Sequence, residues 1–234
     1  MEKIFKNHES LFCILLIVVY VIINSLCIQN FGINDYRSTI VNTIFSCFLV
    51  ALMIVLKRVK YYGIKKVSNI KEYLYFIPLL IISTVNIWSG INISNTRSEI
   101  IFHILTMINV GFIEEIIFRG FLFRMMAQRN IKRAIIVSAI TFGIGHIVNL
   151  LNGADLIPTL LQICYAISLG YLFVIIYYKS GSLIPSIITH ILINSLSIFN
   201  KENSVSLYVS FSILIIISLV YANYINKNIK NKIK

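Results

Sequence analysis

The chain has 234 residues, 58% of them hydrophobic and only 13% charged, with a mean hydropathy of +0.84. Soluble domains carry about 25% charged residues, so this composition excludes an ordinary soluble domain, and the apolar runs leave no room for a separate one. The formal charge of +12 gathers at the ends of apolar segments, the pattern of membrane topology and not of nucleic-acid binding.

Eight apolar stretches follow one another at 10–29, 38–56, 73–91, 99–123, 134–151, 156–178, 183–199 and 205–225. A helix needs about 20 residues to cross the hydrocarbon, and only the seventh stretch is short. Runs without strict alternation, and only three prolines, argue against a β-barrel. The expected fold is therefore all-α: a polytopic integral membrane bundle of about eight transmembrane helices, forming a single membrane domain over 1–234. The first stretch follows a short basic region and lacks a small-residue cleavage site, so it reads as a retained span and not a cleaved signal. The four cysteines, Cys13, Cys27, Cys47 and Cys164, stand singly in apolar segments. That spacing reads as packing, not as a disulfide framework or a cysteine zinc site.

With the N-terminus placed inside, seventeen Lys and Arg residues fall in inside segments, Lys3, Lys6 and Lys234 among them, against Arg37, Arg97 and Lys201 outside. This bias favours eight spans with both termini cytoplasmic. The basic loop 57–71 reads as a topology determinant, with anionic lipid or a partner as the alternative. The pairs Tyr61–Tyr62 and Tyr177–Tyr178 read as an interfacial aromatic belt.

The fourth stretch breaks the apolar pattern. Residues 108–121 read Ile-Asn-Val-Gly-Phe-Ile-Glu-Glu-Ile-Ile-Phe-Arg-Gly-Phe. Uncompensated, three charges at a bilayer centre would cost about 8–10 kcal/mol, so such residues mark functional sites. On a helix, Glu115 and Arg119 are i,i+4 neighbours in the favourable order, whereas Glu114 is rotated about 100° away. This geometry divides them into a structural ion pair and a free carboxylate; a buried polar network that only fixes packing is the bland alternative.

Two later stretches offer partners. Phe142 and His146 share a face of the fifth, and Gly143 and Gly145 between them permit close approach or local distortion. His190 and Asn194 share a face of the seventh. His103 is intramembrane but isolated and reads as structural; His8 lies in the N-terminal tail. On straight helices His146 falls toward the outer end of its span and His190 toward the inner end of its own, an offset that tilted or broken helices must remove. A carboxylate with a His can hold and deprotonate water, and a second His with an Asn can donate to an oxyanion. Equally, Glu, His and His are zinc ligands that leave a position for water. Spacing does not separate these schemes, although the His-Glu-x-x-His signature is absent.

Taken together, Glu114-Glu115-x-x-x-Arg119, Phe142-x-x-x-His146 and His190-x-x-x-Asn194 resemble the motifs of the CPBP intramembrane proteases. That family, also called Abi, unites type II CAAX prenyl endopeptidases with bacterial proteins linked to bacteriocin processing and self-immunity. The resemblance covers about residues 110–196. It implies a CAAX-endopeptidase-like bundle in which Glu114 and His146 activate water and His190 and Asn194 stabilise the oxyanion, with Glu115, Arg119 and Phe142 in support. A metal-free mechanism is the favoured reading; zinc, if used, would be held by Glu114, His146 and His190. The implied partners are the bilayer and a peptide or membrane-protein substrate, with no nucleic acid, and the composition fits a bacterial plasma membrane. The alternatives are a non-proteolytic immunity or regulatory protein of the same fold, and a transporter or proton relay. The concentration of polar groups in the second half of the chain counts against the relay.

Overall fold

The structure, a computed structural model, describes residues 8–67, 70–201 and 204–233. Lys3, Lys6 and Lys234 lie outside them. In chain order the helices are α1 (Glu9–Phe31), α2 (Tyr36–Val55), α3 (Pro78–Ser83), α4 (Arg97–Ala127), α5 (Ile131–Leu151), α6 (Leu156–Ser180), α7 (Ile184–Leu196) and α8 (Ser204–Asn228). Several begin where a short polar side chain satisfies a free backbone N–H. Asp35 accepts from the Arg37 N–H ahead of α2, Thr96 and Glu99 form a reciprocal capping box at α4, and Asn130 accepts from the Arg133 N–H at α5. Gly181, in the left-handed region at φ 68°, ends α6, and Pro185 opens α7.

The protein is thus an all-helical, multi-pass bundle. Among the described residues, six helices (α1, α2, α4, α5, α6 and α8) are long and apolar enough to cross a membrane. The segments Tyr73–Ile87 and Ile184–Phe199 are shorter. The stretch at 73–91 is therefore not one continuous span. It divides into a 3-10 segment (Ile70–Phe76), α3 and a 3-10 turn (Val85–Ile87). Ser83 and Thr84 turn their hydroxyls back onto the Leu80 and Ile81 carbonyls where α3 stops, a local competition that favours helix ends.

Packing runs opposite to that of a soluble bundle. Leu11, Ile14, Val18 and Ile22 on α1, and Ile40 and Ile44 on α2, are exposed, while Glu115 and Arg119 are fully buried. Such apolar outer faces suit lipid. At the centre, α6 packs along α5 and α8, and α4 along α2 and α7. Tyr62 and Tyr177 are core residues and not part of an interfacial belt. The Tyr62 ring lies 4.3 Å from Phe121, and the Tyr177 hydroxyl donates to the Tyr61 carbonyl at 3.2 Å. The loop after α2 folds under the bundle and carries Tyr62 into it; only Tyr61 and Tyr178 stay partly exposed. All four cysteines are free thiols, Cys13 and Cys27 buried, Cys47 and Cys164 exposed.

Candidate active site

The winding of α4 changes where its charges begin. Residues Arg97–Glu115 are α-helical, and Ile116–Phe123 continue as a buried π-helical segment, whose i→i+5 bonding is frequent at functional sites. In this widened turn the Phe118 carbonyl accepts from Ser138 Oγ of α5 at 2.9 Å. Arg119, in the same turn, faces inward with no exposure. Its Nη1 lies 2.9 Å from Glu115 Oε1, the i,i+4 contact that their spacing implied. The contact is electrostatic and not an aligned hydrogen bond, since no guanidinium nitrogen has a well-oriented acceptor among the described residues. Aromatic faces meet the rest of the cation: its Cζ lies 4.2 Å from the Phe142 centroid and 5.7 Å from that of Phe173. Gly170 on α6 makes room, because a β-carbon there would stand 3.2 Å from Arg119 Nη2 and 3.1 Å from the Phe142 ring.

Glu114 points elsewhere, as the helical rotation requires. Its Oε1 accepts from the Tyr20 hydroxyl of α1 at 3.0 Å, and its Oε2 lies 3.4 Å from His190 Nε2. The other nitrogen of His190, Nδ1, lies 3.0 Å from Glu115 Oε1. One imidazole therefore sits between the two carboxylates. The buried set thus brings two carboxylates, one guanidinium and one imidazole into contact.

His146 and His190 meet in spite of their offset along straight helices. Both lie against Phe142, with ring centroids 5.4 and 5.5 Å from it. Gly143 allows α5 to close on α6: a β-carbon there would overlap Ile167 Cγ1 and stand 2.8 Å from the Ile167 backbone nitrogen. The chain then tightens into a 3-10 turn at Gly145–Ile147, which carries His146. Meanwhile α7, only 13 residues long, holds His190 at its middle.

These groups wall one cavity of about 250 Å³. Glu114, Phe142, His146, His190 and Asn194 all line it, as does Tyr20, whereas Glu115 and Arg119 stand behind it. The Asn194 carboxamide makes no hydrogen bond among the described residues. Its backbone is held firmly: the Asn194 carbonyl accepts from Ser197 Oγ at 2.7 Å and lies 3.0 Å from His103 Nε2. His103 is therefore not isolated, as its position in the sequence suggested, but buttresses the chain that carries Asn194. Asn86 donates to the preceding carbonyl, of Ile193, at 2.6 Å.

The zinc alternative does not fit this arrangement. Ligand atoms must converge to within about 2.0–2.2 Å of the ion. Among the described residues, no three His, Cys, Asp or Glu side chains come together closely enough.

Two features escaped the sequence. The π-helical winding leaves no mark in the residue pattern. Tyr20 lies in an apolar run with no motif around it; its only signal is that a hydroxyl inside a span must find a partner.

Residues 95–196 match the family model of the type II CAAX prenyl endopeptidases, Rce1-like. This bears out the resemblance drawn from the three motifs, and the family is one of intramembrane hydrolases. The matched segment runs from the head of α4 through α7 and holds all seven motif residues, whereas α1 and Tyr20 lie outside it. No curated protein and no solved structure matches the chain.

Proposed function

Proceeding from the Rce1-like core at residues 95–196, we propose that the chain is an intramembrane endopeptidase that hydrolyses a peptide bond of a small membrane-associated peptide or protein. The observation that carries this reading is the convergence of Glu114, His146, His190 and Asn194, from three helices, on one cavity inside a multi-pass bundle. A water held between Glu114 and His146 passes a proton to the Glu114 carboxylate as its oxygen bonds to the scissile carbonyl carbon. The carbonyl π-electrons move to oxygen, and the unengaged Asn194 carboxamide donates to that oxyanion. His190 Nε2 is the second donor, with its ring orientation held by Glu115 at Nδ1. The C–N bond then breaks, the departing nitrogen takes the proton from Glu114, and an amine and a carboxylic acid leave. Glu115 and Arg119 act through His190 and do not touch substrate.

The distribution of basic residues, seventeen against three when all eight apolar stretches cross, supports cytoplasmic termini, and the composition supports a bacterial plasma membrane. In that setting the substrates are peptides of the bacteriocin or signal type, cut for processing or self-immunity, as the motif resemblance implies. The test is mass-spectrometric mapping of new peptide termini in membranes containing wild-type protein or Glu114→Gln. Termini that require the wild-type carboxylate are expected. An identical set in both membranes, with both proteins accumulating equally, would leave a non-proteolytic binding role.

A further inference from the structure

We propose that Tyr20, supplied by α1 from outside the Rce1-like core, is the positioning residue that fixes the plane of the Glu114 carboxylate for water activation. This rests on the hydrolytic reading above. Tyr20 is 3% exposed, lines the cavity, and donates its hydroxyl to Glu114 Oε1 at 3.0 Å. The last torsion of a glutamate is a broad sp³–sp² rotor, so a single contact leaves the carboxylate free to rock. Its other contact, 3.4 Å to His190 Nε2, is long for a hydrogen bond. The Tyr20 bond is the closer of the two and engages the opposite oxygen. The bond from α1 therefore defines the plane of the carboxylate, and the N–H at His190 Nε2 stays available to the oxyanion.

The phenol is itself held. Its ring packs on Phe45 of α2 with centroids 5.6 Å apart, so the helix packing aims the hydroxyl. Farther along α1, Ser25 Oγ and Gln29 Nε2 both donate to Asn152 Oδ1, at 2.7 and 2.8 Å, just past the end of α5. The same helix is thus tied to Glu114 at one point and, at another, to the end of the segment carrying His146. It spans the two groups that hold the water. A tyrosine that merely satisfied its hydroxyl would need one acceptor; this one selects the single carboxylate that lines the cavity.

Tyr20→Phe deletes the hydroxyl and keeps the ring on Phe45. On a peptide identified by the termini mapping, kcat is expected to fall about 10-fold to 100-fold, the range for losing a hydrogen bond to a charged group. KM and the thermal midpoint of the variant stay at wild-type values. In infrared difference spectra of the purified protein, the Glu114 carboxylate band, assigned by its loss in Glu114→Gln, shifts in Tyr20→Phe. A wild-type kcat or an unshifted band overturns the assignment. So does a fall in kcat matched by a fall in thermal stability, which would indicate a packing role. Cleavage that persists in Glu114→Gln overturns the hydrolytic reading instead, and the infrared band then decides by itself whether Tyr20 holds the carboxylate.

Discussion

Replacing Arg119 with Met removes a cation that has no exposure and keeps most of the side-chain volume. Glu115, also unexposed, then loses the guanidinium 2.9 Å away and retains His190 Nδ1 at 3.0 Å. Removing one partner of a buried pair costs about 3–5 kcal/mol, because the other charge stays desolvated. The lost stacking on Phe142, at 4.2 Å, adds up to about 2 kcal/mol for a desolvated cation. The residual contact to His190 offsets part of this, so the expected loss is about 3–5 kcal/mol. Glu115→Gln alone leaves the opposite orphan. Combining the two changes removes both charges, and replacing a buried pair by uncharged groups is near neutral or better. The double variant should therefore be more stable than the sum of the singles by about 2 kcal/mol or more. Unfolding of the four proteins by denaturing detergent in bicelles measures this cycle. Losses that add to within about 0.5 kcal/mol, the behaviour of independent sites, would refute the buried pair.

Gly170→Ala places a β-carbon 3.2 Å from Arg119 Nη2 and 3.1 Å from the Phe142 ring; this overpacking should cost about 1–3 kcal/mol, read from the same unfolding titration, and an unchanged midpoint would mean that the Arg119 pocket has slack. Treatment with 1,10-phenanthroline should leave peptide cleavage unchanged, because the Glu114, His146 and His190 side chains do not converge as ligands; loss of activity that zinc restores would refute this.

The bundle was legible because bilayer length imposes itself on composition: six of the eight apolar stretches are helices of spanning length, in the expected order. The third was misjudged because hydropathy ignores hydroxyls such as those of Ser83 and Thr84, which turn back on the helix and help to end it. The motif residues were legible for a different reason. A charge in an apolar run is costly, so Glu114, Glu115 and Arg119 stand out, and a fixed period of 3.6 residues orders side chains along one helix. Neither signal reaches across helices. The contacts of Tyr20 with Glu114, and of His103 with the Asn194 carbonyl, span 94 and 91 residues and follow from packing alone. The tyrosine pairs show the same limit: Tyr62 and Tyr177 look interfacial by type and neighbourhood, yet the loop after α2 carries Tyr62 inside and covers Tyr177 on α6.

Helical rotation separates Glu114 from Glu115, and on that ground alone they look independent, one for chemistry and one for structure. His190 joins them again. Its two nitrogens face the two carboxylates, so any change in the Glu115–Arg119 pair alters the ring that the cavity presents to Glu114. The supporting pair is therefore part of the electrostatics of the site and not only of its scaffold. The same logic explains why Arg119 is matched to aromatic faces instead of further acceptors. A second carboxylate partner would draw the cation away from Glu115, whereas Phe142 and Phe173 stabilise it in place and leave its charge directed at the carboxylate that orients His190.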